Sequence, residues 1–194
     1  MDTPATSAGA ERSTGGLTAL LLAAVAVVAV VFAFESSNLV PNHWYAVFKF
    51  VHVLFAIVWI GGGTMIMILA LRAERQKEPL ELATIARQAA FMGERVFAPA
   101  GLVILLMGIA MMINTNWGWG KFWIVAGLIG YATTFVTGIG VLSPMAKKIE
   151  KLVDEQGPTA PEAQDLIKKI LLVARVDVAV LLLVIADMVT KPFS

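Results

Sequence analysis

The chain has 194 residues, of which 58% are apolar and 15% charged, and its mean hydropathy is +0.79; a soluble domain is about one quarter charged and could not cover this much apolar surface. Fifteen Lys+Arg against fourteen Asp+Glu leave a net charge of +1, which offers nothing to a nucleic acid. Cysteine is absent and the two histidines are His43 and His52, so disulfides, Fe–S clusters, thiolate zinc sites and covalent c-type haem are excluded.

A membrane-spanning helix needs about 20 mostly apolar residues. Residues 1–16 are rich in Thr, Ser, Ala and Gly and read as a disordered tail. The first apolar segment, Leu17 to Phe34, carries no charge. Val31-Phe32-Ala33 resembles a signal-peptide cleavage site, but Asp2 and Glu11 against Arg12 give the wrong leading charge. The segment is therefore read as an N-terminal anchor helix. Four more segments follow, from Ala46 to Leu71, Val96 to Ile113, Phe122 to Met145 and Ile170 to Val189. Strand-like alternation is absent, so the expectation is an all-α membrane protein of five spans. It comprises the anchor and a four-helix bundle over residues 46–192.

Basic residues set the topology. Arg72, Arg75, Lys77, Arg87 and Arg95 lie between the second and third segments, and Lys147, Lys148, Lys151, Lys168 and Lys169 between the fourth and fifth. The positive-inside rule places both loops in the cytoplasm of a plasma (inner) membrane, with the N-terminus inside and the C-terminus outside. Trp44, Tyr45, Trp117, Trp119 and Trp123 then fall at the outer boundary. The inner loops read as helical. Apolar residues recur at Leu82, Ile85, Ala86, Ala89 and Val96, and Pro79 suits a first turn. The fourth segment should run to about Gln156, where Gly157-Pro158 stops it. Thr159 to Glu162 reads as a capping box.

Ionisable side chains inside a bilayer cost about 2.5–3.5 kcal/mol each at its centre, so each needs a reason. On the second segment Lys49, His52, Ala56, Trp59 and Gly63 fall within roughly 80° of one another on a helix. Gly61-Gly62-Gly63 suggest a close approach of another helix or of a flat ligand. His52 has two readings, an interhelical hydrogen bond or an axial ligand to a metal or haem. Trp59 fits packing or a cofactor contact. On the last segment Arg175 and Asp177 point to opposite faces and need partners elsewhere, with Glu94 and Arg95 at matching depth. Asp187 can pair with Lys191 or reach His52, a carboxylate–imidazole arrangement common around metal ligands. Ala126, Gly130, Thr134 and Gly138 form a small-residue seam that suits close packing in the bundle or in a dimer. Met65, Met67, Met107, Met111 and Met112 could carry Cu(I), though ordinary packing accounts for them.

The run Lys49-Phe-Val-His52 followed by Trp59-Ile-Gly61-Gly62, the loop Trp117-Gly-Trp119-Gly-Lys121, and the Asp187 to Lys191-Pro192 ending resemble a bacterial family of predicted integral membrane proteins. This is the domain-of-unknown-function family DUF2269, and the resemblance covers residues 46–192. The Lys-x-x-His…Trp pattern is similar, more loosely, to the four-helix membrane protoporphyrinogen oxidase and to the copper-resistance D family. The first resemblance implies haem b bound by His52, with Lys49 as its companion; Trp59 and Gly62 on the same segment are the further candidate cofactor contacts. The second implies copper. The leading expectation is non-covalent haem b binding with a redox or haem-related role. Copper or other ion transport, and a non-catalytic accessory subunit, are the alternatives. The expected partners are the lipid bilayer and a homodimer or larger membrane complex, with no nucleic acid.

Overall fold

The structure, a computed structural model, describes residues 43–193. The expected tail and anchor helix lie outside the described residues. The chain divides into two units, residues 1–50 and 51–194. Only residues 43–50 of the first are described, and they are helical.

Six α-helices and two π-helical turns make up the described residues, with no strand among them: α1 (His43–Gln76), α2 (Pro79–Met92), a π-turn at Gly93–Phe97, α3 (Ala98–Thr115), α4 (Phe122–Thr137), a π-turn at Gly138–Leu142, α5 (Ser143–Gln156) and α6 (Pro161–Thr190). The π-turns join α2 to α3 and α4 to α5 into continuous rods of 37 and 35 residues. Short connections follow each rod, so the chain runs up and down. One end carries the basic loops, and the other carries Trp117, Trp119 and Trp123.

Helix starts and stops follow local chemistry. Pro79 and Pro161 occupy first turns, where a missing N–H costs nothing. Gly157 stops α5 with φ +87°, a conformation that a side chain would strain. The Thr159 to Glu162 capping box does not form. Ala160 precedes α6 without a side-chain cap. The Gln164 amide instead donates to the Pro158 carbonyl at 2.6 Å, and Glu162 pairs with Lys148 at 3.3 Å.

Three rods, His43–Gln76, Pro79–Thr115 and Phe122–Gln156, are long and apolar enough to cross a membrane. The fourth, α6, has 30 residues but carries Arg175, Asp177 and Asp187 within its apolar stretch. Outward-facing Ile57, Leu102, Ile129, Val136 and Leu183 are each more than half exposed. Such a surface suits lipid rather than water.

Inside residues 51–193 the core forms layers. At the basic end Ala70 and Ala73 of α1 meet Leu82, Ile85 and Ala86 of α2, Ile149 of α5, and Ile167 and Leu171 of α6. In the middle Trp59, Ala100, Ile104 and Leu181 pack with Phe97, Tyr131 and Phe135. At the tryptophan end Met112, Trp123 and Ile124 pack with Trp117 and Met188. Two members of the small-residue seam, Gly130 and Thr134, pack within the bundle. Gly130 lies against Val184 of α6, and the neighbouring Gly127 against the Met188 methyl. Thr134 is fully buried and returns its hydroxyl to the Tyr131 and Gly130 carbonyls at 3.0 and 3.2 Å.

These two glycines predict different costs. A methyl at Gly130 meets the stiff, β-branched Val184, so Gly130→Ala loses about 1–3 kcal/mol. At Gly127 the obstacle is the end of a flexible methionine, so Gly127→Ala is milder. Thermal unfolding in detergent should show the larger fall in Tm for Gly130→Ala.

Candidate functional site

Two places merit attention: the imidazole of His52 and a cavity nearer the basic end. His52 sits on α1 and is half-buried. Its Nδ1 lies 2.8 Å from the Ile104 carbonyl of α3. A carbonyl only accepts, so a proton sits on Nδ1, and in the neutral ring Nε2 keeps its lone pair. Gly108, one turn beyond Ile104, makes room for the ring: a Cβ there would lie 3.4 Å from His52 Cε1.

The three glycines of α1 have separate surroundings. A Cβ at Gly62 would fall 2.7 Å from the Phe97 ring, whereas Cβ atoms at Gly61 and Gly63 would meet nothing within 4 Å. Gly62 therefore admits Phe97, a helix contact. Trp59 is buried, with Tyr131 and Phe135 edge-to-face at 5.8 and 6.2 Å between ring centres. Lys49 belongs to the first unit, where it is exposed and its ammonium lies 6.0 Å from the Tyr45 ring centre.

The ionisable residues of α6 take partners other than those expected from depth. Arg175 pairs with Glu74 of α1. Glu94 pairs with Lys147 of α5, and Arg95 enters no ion pair among the described residues. The Asp187 carboxylate pairs with neither Lys191 nor His52. Its Oδ2 is buried without a hydrogen bond among the described residues, and the Lys191 ammonium lies over Trp117 and Trp123, 4.3 and 5.2 Å from their ring centres. Asp177 makes no hydrogen bond or ion pair among the described residues.

Asp177 instead lines a cavity of about 500 Å³ between the basic-end and middle layers. Trp59, Phe97 and Phe135 bound it toward the middle layer, and Ala174, Asp177, Val178 and Leu181 present one face of α6 to it. Both π-turns form its wall through Gly93, Glu94 and Phe97, and through Gly138, Ile139 and Leu142. Gly63 and Gly138 border it with open space where a Cβ would stand. The paired Glu94 and Lys147 also touch it. Its walls are otherwise mainly apolar, as in ligand pockets generally.

The sequence holds a signal for this site. Gly93 to Pro99 and Gly138 to Pro144 share the pattern Gly, five residues, Pro. A proline has no N–H, and its ring crowds the carbonyl four residues back. In both rods the chain answers with a wider turn, in which Ala98 N–H bonds to the Gly93 carbonyl and Ser143 N–H to that of Gly138. The turns are neighbours: a Cβ on Gly93 would stand 3.5 Å from Ser143 Oγ. Such π-bulges are frequent at functional sites.

His52 does not line this cavity, so the imidazole and the pocket are separate features. Among the described residues no three His, Asp or Glu side chains converge as a metal site. The methionines are also divided, with Met67 on the cavity, Met112 in the tryptophan-end layer and Met65 exposed.

A family model described as "Predicted integral membrane protein (DUF2269)" matches residues 46–192. No curated protein matches, and no solved structure matches.

The Arg175–Glu74 pair is partly exposed on both sides, so its coupling should be modest, under about 1 kcal/mol. Glu74→Arg should lower Tm in detergent, and adding Arg175→Glu should restore most of the loss.

Proposed function

The chain belongs to the DUF2269 family of predicted integral membrane proteins, and we propose that it binds a mainly apolar molecule inside its helix bundle, in the cavity beside the π-turns. The observation that carries this reading is the cavity itself: about 500 Å³, walled by apolar side chains from every rod, with one carboxylate free of any partner among the described residues. That volume falls in the range of small-molecule sites, and a few polar groups on apolar walls are their usual design. In the topology we propose, the four rods and the N-terminal segment span a plasma (inner) membrane. The basic loops face the cytoplasm, and the cavity lies in the cytoplasmic half.

The test uses two glycines on one helix. Gly61 and Gly63 both leave open space for a side chain, but only Gly63 borders the cavity. A neutral fluorescent probe, N-phenyl-1-naphthylamine, should bind the purified full chain saturably. Gly63→Leu should abolish that binding while Gly61→Leu leaves it intact. Equal binding by both variants would place the probe elsewhere and defeat the reading.

A second reading rests on His52. Its Nδ1–H is held by the Ile104 carbonyl, which orients the ring and leaves Nε2 available, as in metal-ligating histidines. His52 Nε2 would hold the iron of haem b, which would supply one-electron redox chemistry near the tryptophan end. A protein of this kind shows a Soret band after purification or haem loading, and His52→Ala abolishes it. The absence of any Soret band in the loaded wild type would exclude haem and leave His52 as a link between α1 and α3.

A further inference from the structure

We propose that the cavity is selective for a lipophilic organic cation, with Asp177 as the counter-charge and the rings of Trp59, Phe97 and Phe135 as the surface on which the cation rests. This inference rests on the cavity reading above and names the class of its ligand.

The argument begins with the charges that face the cavity. They are Asp177, Glu94 and Lys147. Lys147 and Glu94 neutralise each other. The nearest basic residue in sequence, Arg175, points to a different face of α6 and is held by Glu74. Asp177 is therefore the one carboxylate on the cavity that no described cation answers. An unanswered charge in an apolar wall is costly, and a bound positive charge removes that cost.

The aromatic residues narrow the ligand further. Leu181, one turn along α6 from Asp177, packs in the same cluster as Trp59, Phe97 and Phe135. Four residues of helix rise about 6 Å, so a carboxylate and three aromatic rings border the same small volume. The negative face of an aromatic ring attracts a cation, and quaternary ammonium groups are commonly bound this way. A bare divalent metal is a poor match, because it needs several oxygen ligands and no cluster of three such residues occurs among those described. An onium ion with apolar substituents uses everything the cavity offers: apolar walls for its groups, rings for its charge and Asp177 for neutrality.

The experiment compares a cation with a neutral molecule on the full chain in nanodiscs of zwitterionic lipid. Radiolabelled tetraphenylphosphonium is the cationic probe and N-phenyl-1-naphthylamine the neutral one. Asp177→Asn should weaken tetraphenylphosphonium binding by about tenfold or more and leave the neutral probe unchanged, which also shows that the variant is folded. Asp177→Glu should retain cation binding. Equal loss or equal retention of both probes in Asp177→Asn would overturn the inference. Binding of the neutral probe alone by the wild type would also overturn it, while the cavity reading stands. If neither probe binds the wild type, the cavity reading itself fails.

Discussion

Two prolines shape this bundle more than any apolar contact does. Pro99 and Pro144 sit inside long rods, where each removes a backbone donor and crowds the carbonyl of Arg95 or Gly140. A rod can respond by breaking, kinking or widening, and here both widen. Widened turns push side chains off the path that close packing would take. Two such turns, side by side at one level, leave the space that becomes the cavity. Gly63 and Gly138 border that space without filling it. Apolar clusters lie on either side of the gap.

The charges within the apolar rods are treated in three ways. Arg175 and Glu74 answer each other across α6 and α1. Lys191 exchanges its expected carboxylate for two indoles, an attraction that works well where water is scarce. Asp177 is left facing the cavity, without a described partner. Structural ionic groups are normally matched in pairs, because a lone charge in a low dielectric is expensive. Among the described residues two carboxylates of α6 stay unmatched, Asp187 with its buried Oδ2 and Asp177, and of these Asp177 coincides with the open volume.

Much of the architecture was legible in the residues. Apolar length gave the rods, Pro79 gave the start of α2, and Gly157 gave the end of α5. The helical character of the 79–96 stretch followed from its spacing. Other features failed for definable reasons. The Thr159 capping box does not form because α6 opens at Pro161, which puts Ala160 rather than Thr159 at the cap position. Partners for Arg175 and Glu94 were inferred from depth, but depth does not tell which way a side chain points around its helix. The three glycines of α1 were read as a close approach of another helix or of a flat ligand, and at Gly62 it is Phe97 that approaches. The cavity was missed because its residues come from every rod and are individually ordinary. Its trace, the repeated Gly-to-Pro spacing, is visible once the two stretches are set side by side.

Each π-turn also has a rotational consequence. It inserts one residue more than an α-helix would use, which turns everything beyond it by about 100° around the rod. Both rods carry such a turn beside the cavity, and beyond the turns α2 packs against α5. Beyond the turns, Arg87 of α2 meets Glu150 and Asp154 of α5 at 3.1 and 2.7 Å, so this pairing belongs to the register that the inserted residues set. Deleting a residue from one turn alone would leave one helix re-aimed against an unmoved neighbour.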